Sequence, residues 1–195
     1  MIDWIEEYGM IGGWLVFMGA FAWCWDKLFN KCRHAYYKNR AKQVLKKIRK
    51  IEGEGTAARK MAYLRRINPY VFEELLLLAY EKKGHRVIRN RRYSGDGGVD
   101  GWVIINRKRI PVQAKRYSGH IRREHVEAFS LLVQKKKAPY GLFIHTGRTG
   151  KGSSGQMYPN VHIISGECLL DLFKETDNRR ERTTFRIECF KKIIR

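Results

Sequence analysis

Hydrophobic and polar positions divide this chain into an uncharged opening, a basic helical stretch, and a mixed segment where strand and helix spacing alternate. The opening run, Tyr8 to Trp25 (YGMIGGWLVFMGAFAWCW), is 18 residues without a charge. That length is at the lower limit of the roughly 17–25 residues that span a bilayer. Trp4, Tyr8, Trp23 and Trp25 stand near its ends, where amphipathic rings favour an interface. The pattern predicts an N-terminal transmembrane helix over residues 1–25. No small-residue cleavage site follows it, so it reads as a retained anchor. Gly9 and Gly13 form a G-x-x-x-G, a weak dimerisation signal at the edge of the span.

From Asp26 to Ile51 the pattern continues as a basic helix, with Val44, Leu45, Ile48 and Ile51 at helical spacing. Lying against anionic lipid is its simplest role; DNA contact is the competing one. Gly53-Glu54-Gly55 breaks it and marks a boundary. Thr56 to Ile67 predicts a second basic helix, which completes a linker over 26–67.

The next segment, 68–176, predicts one α/β domain. Asn68-Pro69 is an N-cap followed by proline at the first helical position. The helix it opens runs to Gly84, with a core stripe of Phe72, Leu75, Leu76 and Ala79. Glu73 lies beside that stripe, and Glu74 is the alternative for reaching the sheet. His85–Asn90 predicts a first strand. Trp102 to Ile105 predicts a buried second one, and Asn106-Arg107-Lys108 a polar turn into a third. On that third strand Gln113 and Lys115 share one face, while Val112 and Ala114 take the other. Ile121–Lys136 predicts a helix with Val126, Phe129 and Val133 inward. Tyr140–His145 and Val161–Ser165 predict strands, and Gly166–Lys174 a closing helix. This rhythm implies a mixed sheet flanked by helices. The 177–195 tail is basic and suggests a strand over Thr184–Glu188 or a helix.

Charge narrows the partners. The net charge is +21, and residues 1–25 hold Asp3, Glu6 and Glu7 with no Lys or Arg. Everything after them sets 40 Lys and Arg against 16 acids. Such a surplus points to a polyanion, nucleic acid or anionic lipid. Basic residues follow the uncharged run while acids precede it. The positive-inside rule then puts the N-terminus outside and the bulk of the chain in the cytoplasm, as a single-pass protein of the cell membrane. Four cysteines without C-x-x-C spacing read as reduced thiols, not as a disulfide frame or zinc site.

The chemistry concentrates in one hairpin. A glycine loop leads to Asp100 at the head of one strand, and Gln113 and Lys115 lie on the next. A carboxylate, an amide oxygen and an ammonium group thus meet at one end of a sheet, a set able to hold a divalent cation beside a phosphate. Arg91 and Arg92 with Tyr93 form a basic approach to the loop. Arg116, Arg122, Arg123, Arg148 and Lys151 extend the basic surface beyond it. TGRTGKGSSG is not a Walker A loop, because His145 and Gly152 stand where glycine and Ser or Thr are required. It reads instead as a flexible basic loop for DNA phosphates. His120, His125 and His145 form no metal-ligand pattern and read as surface or phosphate-contacting residues. Asp96 reads as a turn former, with support of Asp100 as the alternative.

GDGGVD at Gly95–Asp100, PVQAKRYSG at Pro111–Gly119, and Phe72-Glu73 opening a helix upstream together resemble the Mrr-like restriction endonucleases. These belong to the nucleases with an Asp…(Asp/Glu)-x-Lys core, and the resemblance covers roughly Asn68 to Lys174. It implies a restriction-endonuclease-like fold and Mg²⁺ (or Mn²⁺) as cofactor. Asp100 is then a direct metal ligand, and Gln113 a neutral oxygen where many relatives have an acid. The Ala114 carbonyl adds a further oxygen, and Glu73 binds through water or at a second ion. Lys115 orients the attacking water. Gln in place of an acid leaves one-metal and two-metal chemistry both open. The implied function is a membrane-anchored DNA endonuclease of restriction type, directed at foreign or modified DNA, with a homodimer as a further expectation. A resolvase-type nuclease and a non-catalytic DNA tether of a transfer system are the alternatives.

Overall fold

A computed structural model describes residues 3–90, 97–150 and 157–175 of the chain. Residues up to Tyr36 and residues from Tyr37 onward form separate compact units.

The first unit is helical throughout its described length, as the leading part of helix α1 (Asp3–Lys50). Among the described residues, no helix is long and apolar enough to cross a membrane. This overturns the expected transmembrane span over 1–25, and with it the single-pass topology and membrane localisation. The physical reason is that an uncharged run is not thereby an apolar one. Four of the 18 residues are glycine and three are tryptophan, and only five, Ile11, Leu15, Val16, Phe17 and Phe21, are of the strongly inserting kind. Insertion is driven mainly by residues such as Leu, Ile, Phe and Val.

The second unit carries a five-stranded sheet in the order β1-β2-β3-β4-β5. The strands are β1 (Arg86–Arg89), β2 (Gly101–Ile105), β3 (Lys108–Lys115), β4 (Gly141–His145) and β5 (Val161–Ile164). The helices are α2 (Thr56–Arg66), α3 (Pro69–Lys82), α4 (Arg123–Lys135) and α5 (Gly166–Phe173). The three leading strands pair antiparallel, whereas β3 with β4 and β4 with β5 pair parallel. The mixed α/β fold is as the spacing predicts. Element boundaries agree to within a residue or two, because turn and cap residues set them locally. The Asn68 side chain caps α3 by accepting from the Tyr70 N–H at 2.9 Å. The hairpin between β2 and β3 is a two-residue turn with Asn106 at φ 50° and Arg107 at φ 63°, the doubly left-handed geometry that suits tight hairpins.

Alternation along β4 divides the core in two. Leu142 and Ile144 join a large cluster with α3, α5 and the inner faces of β2 and β3. Phe143 faces the other way, into a smaller cluster with Val126, Phe129 and Val133 of α4. Helices therefore cover both faces of the sheet. The large cluster also takes in Ala41, Val44, Leu45 and Ile48 from the end of α1, and Met61 and Leu64 from α2. The apolar stripe expected to lie on lipid is thus core. It also explains why α3 is buried around most of its circumference, from Val71 to Tyr80 with Glu73 alone half-exposed. Leu75 and Leu76 are fully buried, and truncating either to alanine costs about 2–5 kcal/mol.

Candidate active site

Asp100 sits immediately before β2, level with Gln113 on β3. Its backbone N–H donates to the Val112 carbonyl at 2.8 Å, and its Oδ2 accepts from the Ala114 N–H at 2.6 Å. Asp100 is thereby tied to the backbone on either side of Gln113, its carboxylate through Ala114 and its main chain through Val112. Positive φ at Gly97 (66°) and Gly98 (94°) lets the glycine loop curl over this point. A Cβ on Gly98 would stand 3.0 Å from Gln113 Nε2, so the backbone angle favours glycine there and a side chain would also push on the Gln113 amide.

Gln113 is buried, and its Nε2 donates to the Gly98 carbonyl at 2.7 Å. A carbonyl can only accept, so this bond fixes which way the amide points. The amide oxygen Oε1 is left buried with no hydrogen-bond partner. Buried polar atoms are nearly always satisfied, and an oxygen left over in this way marks a place for a cation or a bound water.

Arg89 of β1 engages two of the three acids on α3. Glu74 is buried and taken by Arg89 of β1 at 2.7 Å, and the same guanidinium holds Glu81 at 2.5 and 3.1 Å. Glu73 stays half-exposed in the field of Asp100 and Lys115. Burial, then the Asp100 and Glu74 charges, push its carboxyl up to about 8, and Lys115 pulls the other way. A carboxyl raised by a neighbouring acid gains from a cation shared with that acid. Among the described residues no three His, Cys, Asp or Glu side chains converge. The set is two carboxylates and an amide oxygen, with the Ala114 carbonyl on the adjacent backbone. Hard oxygen donors in that number suit Mg²⁺ or Mn²⁺, which keep several of their waters.

Lys115 ends β3 opposite His145 on β4. His145 is fully buried, which corrects its reading as a surface or phosphate-contacting group. Its Nδ1 accepts from the Gly147 N–H at 3.1 Å, and Nε2 lies 3.2 Å from Thr149 Oγ1. Burial pushes its pKa down to about 4, so it is neutral near pH 7. His125 is half-buried against the Tyr117 hydroxyl. His120 is exposed and bridges backbone to backbone with Arg148.

The expected DNA contacts divide by environment. Arg122, Arg123 and Arg148 are exposed, with Arg123 Nε on the Tyr158 hydroxyl at 3.2 Å. Arg116 is half-buried and gives its guanidinium to the carbonyls of Arg65 and Ile67 at the end of α2, the first at 3.1 Å. That ties it to the fold. Arg91, Arg92, Asp96, Lys151 and the 177–195 tail lie outside the described residues.

Sequence reasoning missed three groups: the Gly98 carbonyl, Arg65 and Thr146. The glycine loop was a signal for the first. For the others the only trace was a threonine directly after a buried strand and one arginine among many.

Residues 64–173 match the restriction endonuclease family Mrr_cat. The type IV methyl-directed restriction enzyme EcoKMrr of Escherichia coli (strain K12) is 28% identical over 148 residues, covering 71% of this chain and 47% of that enzyme. Among solved structures, the MspJI restriction endonuclease in complex with a 27-mer oligonucleotide aligns over 74% of this chain and 37% of its own. That alignment has 18% identity and a TM-score of 0.47. This chain therefore spans about half the length, or less, of the relatives it matches.

Proposed function

We propose, from the premise that the chain belongs to the Mrr_cat restriction endonuclease family, that it hydrolyses phosphodiester bonds in DNA with Mg²⁺ or Mn²⁺ held by Asp100, Gln113 and Glu73. The observation that carries this reading is the buried, unpartnered Oε1 of Gln113, with Asp100 bonded to the backbone on both sides of it. When bound, the cation supplies charge neutralisation at the scissile phosphate and acidifies a water. Asp100 gives the oxygen of greatest charge, fixed by the Ala114 N–H. Gln113 gives a neutral oxygen at a set angle, since Gly98 holds its amide. Glu73 gives up its proton to join the set. Lys115 orients the attacking water and, as a cation, stabilises its hydroxide form. Exposed Arg122, Arg123 and Arg148 contact phosphates without reading sequence.

The resemblance to a methyl-directed enzyme supports restriction of foreign or modified DNA as the biological role. The test is cleavage of plasmid DNA, methylated and unmethylated, by the purified chain with Mg²⁺, with Mn²⁺ and with EDTA. Cutting that needs the metal is expected. Undiminished cutting in EDTA, or none with either ion, would overturn the reading.

A further inference from the structure

Thr146 uses every polar atom it has on the segment around Lys115 or on the helix behind it. Its N–H donates to the Lys115 carbonyl at 3.3 Å, as a parallel ladder requires. A regular ladder would next send the Tyr117 N–H to the Thr146 carbonyl. Instead the Thr146 hydroxyl takes that N–H at 3.0 Å, and the same hydroxyl reaches the Tyr117 carbonyl at 3.0 Å. A side chain has replaced main chain in the ladder. The freed Thr146 carbonyl accepts from Arg65 Nε of α2 at 3.0 Å, and Arg116 returns the tie by donating to the Arg65 carbonyl at 3.1 Å. Thr146 is fully buried, so no water competes for these bonds.

The strand can thus leave the sheet directly after Lys115 without loosening at Lys115. Gly147 makes the close approach possible, because a Cβ there would lie 2.5 Å from the Gly119 carbonyl and 2.6 Å from Tyr117 Cβ. Beyond it, backbone bonds between Arg148 and both Gly119 and Ile121 keep the two chain segments joined.

We infer that Thr146, backed by Arg65, is a positioning residue that fixes Lys115 for its work on the attacking water. This rests on the proposed role of Lys115. A lysine whose backbone is free to shift by about 1 Å loses near-attack geometry, a displacement able to cost about 10²-fold in rate. Valine has the shape of threonine but leaves the Tyr117 N–H and carbonyl unmatched. Serine keeps the hydroxyl.

The experiment compares wild type, Thr146→Val, Thr146→Ser, Arg65→Gln and Lys115→Ala. It measures single-turnover cleavage at saturating DNA, the DNA Kd, and amide exchange at Tyr117 in the folded protein. Thr146→Val should cut about 10²-fold more slowly, with Kd changed less than a few-fold and the Tyr117 amide exchanging faster. Thr146→Ser should recover most of the rate, and Arg65→Gln should show a smaller, several-fold loss at unchanged Kd. Should Thr146→Val not fold, the serine and Arg65→Gln variants decide: wild-type rate in Arg65→Gln would count against the inference. Full activity of folded Thr146→Val beside an inactive Lys115→Ala would overturn it outright. Full activity of Lys115→Ala would instead overturn the role of the lysine, and the inference with it.

Discussion

Asp100 and Gln113 meet through the backbone: Asp100 bonds the N–H of Ala114 and the carbonyl of Val112, the two neighbours of Gln113 on β3. Removing the carboxylate therefore has two consequences. Asp100→Ala should abolish metal-dependent cleavage and also cost about 1–3 kcal/mol, by leaving a backbone N–H unmatched. Urea unfolding with and without Mg²⁺ separates the two, since added metal should stabilise wild type and not the variant. DNA affinity should change little, because spread phosphate contacts carry it.

Gln113 distinguishes a ligand from a strand residue. Gln113→Glu puts a carboxylate where the amide donated to the Gly98 carbonyl, so the metal-free protein should lose about 1–3 kcal/mol. The added negative charge should tighten Mg²⁺ binding, and cleavage should be retained at sufficient metal. Gln113→Leu should remove both metal binding and cleavage. Calorimetric titration with Mg²⁺ checks the order Glu, Gln, Leu. Equal affinities would show that Oε1 holds no ion.

The raised Glu73 carboxyl makes a prediction about pH. Its folded value is about 8 against an ordinary 4.5. Between those values the folded state binds a proton that the unfolded state has released. Stability of the metal-free protein should therefore fall as pH rises through roughly 5 to 8. Glu73→Gln, always neutral, should flatten that slope, and Mg²⁺ should offset the loss in wild type. Thermal melts at pH 5, 6, 7 and 8 read it directly. A slope unchanged in Glu73→Gln would place the titration elsewhere.

Arg107 occupies the second turn position at φ 63°, a region that costs non-glycine residues about 1–2 kcal/mol. Arg107→Gly should raise stability by about 1 kcal/mol, less some gain in unfolded-state entropy. Cleavage should not change, because the turn lies at the end of the hairpin away from Asp100 and Lys115. A lower melting temperature would refute it.

What the sequence determined by itself is local. Period-two spacing put Gln113 and Lys115 on one face, Asn68-Pro69 started α3, and the glycines before Asp100 announced a loop that only they can form. Each of these depends on a few consecutive residues and on backbone sterics, so it survives without knowledge of the rest. What only the tertiary structure decided depends on residues far apart in the chain. Glu73 and Glu74 are neighbours in sequence, and only the fold brings Arg89 onto Glu74, which leaves Glu73 as the acid proposed for the site. The stripe at Val44, Leu45 and Ile48 looks the same whether it meets lipid or protein; it packs with α2 and α3 because that cluster had apolar surface left to cover. The run before it carried no charge, yet charge is only half of what a bilayer tests, and its glycines and tryptophans supply little of the other half. The hydroxyl of Thr146 reaches Tyr117 across 29 residues of sequence, a contact no spacing rule encodes, because it exists only once β3 and β4 lie side by side.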